Sequence, residues 1–126
     1  MWTKLGLALL GLNDLSRFRN TGENKMGKTI YYRTKDGRVD YGFSIEKQPD
    51  SSLKAFITSM PSYGLRSNDI KITHRLIDTN GRYYVCWNRK LYDEDDLKSV
   101  IALWSDTTQE YIRTGETISD QMRRRR

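Results

Sequence analysis

The chain has 126 residues, a formal net charge of +6 and a single cysteine. This length suits one domain with one core, and a hydrophobic content of 37% argues against disorder. The basic excess lies mostly near the two ends, so composition does not indicate a uniformly basic nucleic-acid-binding domain. One cysteine and one histidine exclude an internal disulfide and a zinc site built from four such ligands. We therefore expect no metal, no cofactor and a reducing, cytoplasmic location.

The first 25 residues differ from the rest of the chain. Their apolar stretch, Leu5 to Leu12, is too short for a membrane span, which needs about 20 apolar residues. It also lacks the small-residue cleavage site of a secretory signal. The pattern predicts a short N-terminal helix or a flexible extension over residues 1–25. Because Met26 directly precedes the first predicted strand, Met1 and Met26 both stay open as the natural start.

Two turn signals, Asp36-Gly37 and Asn80-Gly81, each separate runs of alternating apolar and polar residues. This pattern is typical of a tight β-hairpin. The first turn predicts strands over Lys28–Lys35 and Arg38–Ile45. Counting outward from it gives three cross-strand pairs on an apolar side: Thr34 with Val39, Tyr32 with Tyr41 and Ile30 with Phe43.

The second hairpin is predicted over Ile70–Thr79 and Arg82–Asn88, with Thr79 opposite Arg82 across a two-residue turn. Alternation assigns to its apolar side Ile70, Ile72, His74, Leu76, Tyr83, Val85 and Trp87. It assigns to the opposite side Lys71, Thr73, Arg75, Ile77, Arg82, Tyr84, Cys86 and Asn88. Each hairpin therefore has one face for the core and one for solvent, as in an antiparallel sheet that is wet on one side.

Between the hairpins, Leu53–Met60 fits a strand or a short helix, and we favour a strand because it contains β-branched residues and stops at Pro61. Ser62–Asp69 is rich in turn residues and predicts a loop. A helix follows, with Asp93 as its cap and Gly115 at its end. Its apolar stripe consists of Leu97, Val100, Ile101, Trp104, Thr108 and Tyr111.

The predicted fold class is α+β. An antiparallel sheet of four or five strands, with two tight hairpins, is covered on one face by the C-terminal helix. The chain divides into the N-terminal segment 1–25, an α+β domain at 26–115 and a basic tail at 116–126, which ends in Arg123–Arg126. This strand order with a final helix is similar in architecture to the single-strand-binding fold of transcriptional coactivator and Whirly-type proteins. No residue motif of that family is shared.

The solvent face and the loop beside it carry cations that neutralise phosphates and tyrosines that stack on bases. The candidate binding residues are Tyr31, Arg33, Lys35, Arg38, Arg66, Lys71, Arg75, Arg82 and Tyr84. We accordingly predict a non-enzymatic module that contacts single-stranded nucleic acid or another polyanion through this face and the basic tail. The alternative is a protein-interaction or inhibitor module that docks on a protein partner, for instance on an acidic protein surface.

Simpler explanations compete with each of these sites. Charged and tyrosine side chains on a wet sheet face are ordinary, and a second copy of the chain could cover Ile77 and Cys86 in a homodimer. His74 is predicted in the core beside Trp87, without a nucleophile, so catalysis is not expected. The acidic run Asp93–Asp96 is explained by the positive end of a helix dipole rather than by a bound cation.

Overall fold

The computed structural model describes residues 16–23 and 27–125. Within them, six strands form one antiparallel sheet in the order β1-β2-β3-β4-β6-β5. The strands are β1 (Phe18–Glu23), β2 (Lys28–Arg33), β3 (Asp40–Lys47), β4 (Leu53–Ser59), β5 (Arg75–Ile77) and β6 (Tyr83–Val85). The helices of this described part are α1 (Ile70–Thr73), α2 (Glu94–Thr114) and α3 (Ile118–Arg124). The α+β class is confirmed, with six strands instead of four or five.

The first hairpin has the predicted register. Ile30 lies opposite Phe43 and Tyr32 opposite Tyr41, and the third predicted pair also forms. The Asp36 carboxylate holds the turn, since it accepts one hydrogen bond from a side-chain hydroxyl at 2.6 Å and one from a backbone N–H at 3.0 Å. Local turn chemistry and apolar alternation agree here, which is why this element could be predicted.

Strand β1 lies within residues 1–25, for which the sequence predicts a helix or an extension, and that prediction is wrong for Phe18–Glu23. Its polar sequence carries no apolar alternation, yet it pairs along β2 and brings the Phe18 ring 4.8 Å from the Tyr32 ring. The register shifts by one residue before Gly22, so the outer edge of the sheet is bulged. The predicted apolar helix over Leu5–Leu12 lies outside the described residues.

The register of the second hairpin differs from the predicted register by one residue. Leu76 lies opposite Tyr84, and the Asp78 N–H donates to the Arg82 carbonyl at 2.9 Å. The loop around Asn80-Gly81 therefore has three residues rather than two, with the glycine in the left-handed region at φ +82°. A three-residue hairpin loop places a glycine in just this conformation, so the same sequence signal fits both registers.

A shift of one residue moves side chains to the opposite side of a strand. Arg75 lies opposite Val85, on the side that faces α2, and not beside Tyr84 on the polar side as predicted. The prediction of Ile70–Thr73 as a strand is wrong as well, because these residues form α1. Asp69 caps this helical turn by accepting a hydrogen bond from the Lys71 N–H at 2.8 Å. A local hydrogen bond of this kind favours the turn over pairing in a β-sheet.

Helix α2 is confirmed from cap to end. Asp93 accepts a hydrogen bond from the Asp95 N–H at 2.7 Å, and Gly115 closes the helix in the left-handed region at φ +86°. Every residue of its predicted apolar stripe is buried. The prediction of Leu53–Met60 as a strand is also confirmed, as β4.

Trp104 lies at the centre of the core that α2 forms with the sheet. Its side chain is fully buried, with the rings of Tyr41 and Phe43 about 6 Å away in edge-to-face orientation. Its indole N–H donates to the Thr73 carbonyl at 3.0 Å. The core therefore joins the first hairpin, α2 and the α1 turn in one packed unit.

The predicted basic tail is largely a packed helix. In α3, Ile118, Gln121 and Met122 are buried, and the Gln121 side chain donates to the Thr107 carbonyl at 2.9 Å. The sequence prediction followed the four terminal arginines and overlooked the helical spacing of Ile118 and Met122. No helix in the described part of the chain is long and apolar enough to cross a membrane.

Candidate functional site

We call the side of the sheet opposite α2 the open face. Alternation along the paired strands places a set of charged and large apolar side chains on it or at its margin. They are Arg19, Tyr31, Arg33, Asp40, Glu46, Lys54, Phe56, Leu76, Asp78, Arg82 and Tyr84. Four of these belong to the predicted site: Tyr31, Arg33, Arg82 and Tyr84.

The part of the open face near β1 is organised around Asp40. This carboxylate accepts hydrogen bonds from Arg19 at 3.1 Å and lies 2.6 Å from the Arg33 guanidinium. Arg19 also lies over the Tyr31 ring, 5.3 Å from its centroid. A Cβ at Gly42 would come within 2.7 Å of the Tyr31 ring, so the ring lies directly over that glycine. One carboxylate here compensates two cations.

The part near β6 is organised around Arg82. Its guanidinium donates to both Glu46 oxygens, at 2.8 and 3.1 Å, and to Asp78 at 3.2 Å. The hydrogen bond to Glu46 raises the pKa of Arg82, and the negative charges of Glu46 and Asp78 raise it further. The guanidinium also lies 3.7 Å from the centroid of the Phe56 ring. Arg82 thus forms a bidentate pair with Glu46, and an anionic ligand would have to displace the Glu46 carboxylate to bind this guanidinium in the same way.

Charges on the open face nearly cancel. Four cations, Arg19, Arg33, Lys54 and Arg82, share the face with three carboxylates, Asp40, Glu46 and Asp78. Lys54 stands apart, since its ammonium lies over the Tyr84 ring at 4.4 Å and has no salt bridge within the described residues. The field that would attract a phosphate chain is therefore weak.

Arg75, a predicted binding residue, is a buried structural side chain. Its guanidinium stacks between the rings of Tyr63 and Tyr83, with centroids at 4.9 and 4.1 Å. It donates to the Thr73 hydroxyl at 2.9 Å and to the Asn68 carbonyl at 2.8 Å. The one-residue register shift explains why sequence alternation placed it in solvent.

The remaining predicted cations do not converge with the open face. Arg66 caps the end of α2, where it donates to the Ile112 and Arg113 carbonyls at 3.3 and 3.4 Å. Lys35 and Arg38 lie in the first hairpin turn, and Lys71 lies in α1. The structure thus brings together four of the nine predicted residues. It adds Arg19, Lys54 and Phe56, which extending alternation into β1 and β4 would have found.

The β5 end of the sheet carries an exposed apolar patch. We call it the β5 edge patch, and it consists of Ile70, Ile72, Leu76, Ile77 and Tyr83. Each of these side chains is more than a third exposed, and Ile77 is 49% exposed. They belong to three successive elements, α1, β5 and β6, and Leu76 and Ile77 lie on opposite sides of the edge strand β5. Clustered exposed apolar side chains of this kind mark interaction sites.

His74 is buried in the core, as predicted. Its Nε2 lies 3.2 Å from the Ser119 hydroxyl. Burial disfavours the charged imidazole and lowers the pKa of His74 to about 4. A ring with this pKa is a weak base at neutral pH, so the pair does not resemble an activated nucleophile. Burial also raises the pKa of the Cys86 thiol, which reduces its reactivity.

Comparison with known proteins gives no assignment. Neither a protein-family model, nor a curated protein, nor a solved structure matches this chain. The architectural resemblance to single-strand-binding folds therefore stays an expectation.

Proposed function

We propose that this chain is a non-enzymatic protein-interaction module that binds an extended segment of a partner protein along β5. The observation that carries the proposal is the β5 edge patch, which surrounds an edge strand with apolar side chains. Addition of a strand to a sheet edge is a common mode of peptide recognition. Backbone hydrogen bonds supply affinity, and the alternating side chains supply selectivity.

The backbone of β5 is oriented for such pairing. The His74 carbonyl and the Asp78 N–H bond to the β6 side of the hairpin, at 3.0 and 2.9 Å. Since backbone groups alternate along a strand, those of Arg75 and Ile77 point the other way, toward the outer edge. Leu76 and Ile77 project to opposite sides of the strand, so an added segment would meet an apolar side chain on each face.

The two edges of the sheet support this choice of site. The β1 edge is exposed, polar and bulged, which are the features by which proteins protect an edge from pairing. The β5 edge has apolar side chains instead.

Contact with single-stranded nucleic acid, the first prediction from the sequence, has less support. Stacked pairs such as Arg19 over Tyr31 and Lys54 over Tyr84 would suit bases. However, the arginines of this face are held by carboxylates, and Arg75 is buried. Binding to phosphates would have to break these ion pairs.

The test compares two substitutions at Ile77. Ile77→Pro removes the outward N–H and leaves the bonds to β6 in place, because proline is tolerated at the solvent side of an edge strand. Ile77→Val keeps the N–H and is the matched control. We expect peptides selected from a random display library to bind the proline variant about tenfold more weakly than the control, through loss of a hydrogen bond and adjacent contacts.

Binding is measured by fluorescence polarisation, and circular dichroism checks that both variants are folded. Three results would overturn the proposal. The first is a library that yields no binding peptide, and the second is equal affinity for the two variants. The third is tight binding of oligodeoxythymidine that is lost in Lys54→Ala and Tyr84→Ala, which would assign the module to nucleic acid.

A further inference from the structure

A cleft crosses the sheet where β4 and β6 separate. These strands pair at Phe56 and Tyr84, and β4 also forms an isolated bridge, through Leu53, with Leu91 of the segment after β6. Between the two contacts, residues 86–90 are not part of a strand and have no ladder pairing with β4. The gap has a volume of about 610 Å³, within the range of small-molecule sites. We call it the β4–β6 cleft.

The lining of the β4–β6 cleft is apolar in its depth. Ala55, Val85 and Trp87 contribute from the two strands and the segment after β6, and Leu97 and Val100 contribute from α2. A ligand body that is aromatic or aliphatic would lose water against these side chains without stranding a polar group. The chemistry of the floor therefore selects an apolar body of modest size.

The mouth of the cleft is positively charged. Lys54, Arg89 and Lys90 line it together with a single carboxylate, Asp50, which is bound to Lys90. Within the described residues, neither Lys54 nor Arg89 forms a salt bridge. Two uncompensated cations above an apolar floor complement a ligand with one anionic group and an apolar body.

We propose that the β4–β6 cleft binds a small amphiphilic organic anion, an aromatic or aliphatic body that carries one carboxylate or sulfonate. The body occupies the floor between β4 and α2, and the anionic group lies at the mouth between Lys54 and Arg89. The proposal does not rest on the proposed protein partner, because it uses the cleft floor and the cations at its mouth. Leu76 belongs both to the cleft lining and to the β5 edge patch, at the boundary between the two sites.

The test uses anilinonaphthalene sulfonate as the probe and neutral N-phenylnaphthylamine as its uncharged counterpart. Lys54→Gln/Arg89→Gln removes both cations at the mouth. The control, Arg38→Gln/Lys71→Gln, removes the same charge from two exposed residues outside the cleft. We expect the first pair to weaken sulfonate binding about tenfold, to leave the neutral probe unaffected, and the control to change neither.

The position of the probe is read from the indole N–H resonances of the protein in heteronuclear NMR. The sulfonate should shift the resonance of Trp87, which lines the cleft, and spare that of Trp104, whose N–H is bonded inside the core. Equal weakening by the two double variants would overturn the proposal, as would non-saturable binding. A concerted shift of both indoles would also overturn it, since it would indicate a loosened core.

Discussion

At the scale of single residues, His74 combines two unfavourable features. It adopts a left-handed backbone conformation, with φ +54° and ψ +46°, that costs a non-glycine residue about 1 kcal/mol or more. It also buries an ionisable ring. The conformation is retained because the His74 N–H closes α1 on the Ile70 carbonyl and the ring contacts Ser119. His74 thus ends α1, precedes β5 directly and contacts α3 through its ring.

The lowered pKa of His74 predicts a loss of stability in mild acid. Between pH 6.5 and about 4 the unfolded chain binds a proton on this ring, whereas the folded chain does not. The free energy of unfolding should therefore fall as the pH drops through this window, by about 3 kcal/mol in all. Below about pH 4 the folded chain binds the same proton and the decline from this group ends.

Urea unfolding at a series of pH values measures this decline. The control is His74→Asn, because asparagine does not titrate and tolerates the left-handed conformation. We expect the variant to lack this component of the pH dependence. Parallel curves for the two proteins would show that the ring is not kept neutral by burial.

Gly81 predicts a second effect at this scale. Its φ of +82° belongs to the three-residue loop that sets the register of the second hairpin, and a Cβ there would meet no neighbouring atom. Gly81→Ala should lower the free energy of unfolding by about 1 kcal/mol through backbone strain alone. Gly81→Asn should recover most of that loss. Equal costs for the two variants, measured by urea unfolding, would contradict this account of the loop.

At the scale of elements, α3 shows how a charged segment can belong to the core. Its buried residues Ile118 and Met122 pack into the same cluster as Trp104, while Arg123 and Arg124 remain outside. Seven residues are too few for a stable isolated helix, so packing holds it in place. Its role is to close the end of the core near α2.

This packing predicts a sharp contrast between two neighbouring substitutions. Ile118→Ala should lower the free energy of unfolding by about 3 kcal/mol, because it empties a fully buried position. Arg123→Ala, on the exposed side of the same helix, should change it by less than about 0.5 kcal/mol. Thermal or urea unfolding distinguishes the two. A small effect of Ile118→Ala would mean that the segment is a tail, as the sequence first suggested.

Predictability of elements followed the number of independent signals that each one carries. Helix α2 has a cap, a stripe and a terminating glycine, and the first hairpin has a turn that agrees with its alternation. Strand β1 contacts β2 and β3 through Phe18 and Arg19, but its polar sequence shows no apolar alternation that would predict a strand. The turn signal of the second hairpin fits both a two-residue and a three-residue loop. The sequence prediction used the shorter loop, and it therefore placed Arg75 on the wrong side of the strand.

At the scale of the whole molecule, the candidate site depends on contacts between distant segments. Glu46 and Arg82 meet across the sheet, and the β4–β6 cleft forms only where two strands part above α2. Alternation can place an arginine on a face, but it does not reveal the carboxylate that neutralises it. Sequence reasoning therefore identified the polar face and overestimated its positive charge.

The unlike edges of the sheet bear on how large an assembly can grow. Head-to-tail stacking would need the apolar β5 border of one molecule to accept the β1 border of the next, and a filament would result. The kinked, hydrophilic β1 border resists that union. If β5 accepts a partner segment as proposed, the β1 border would not continue the ribbon, and extension would stop after one added strand.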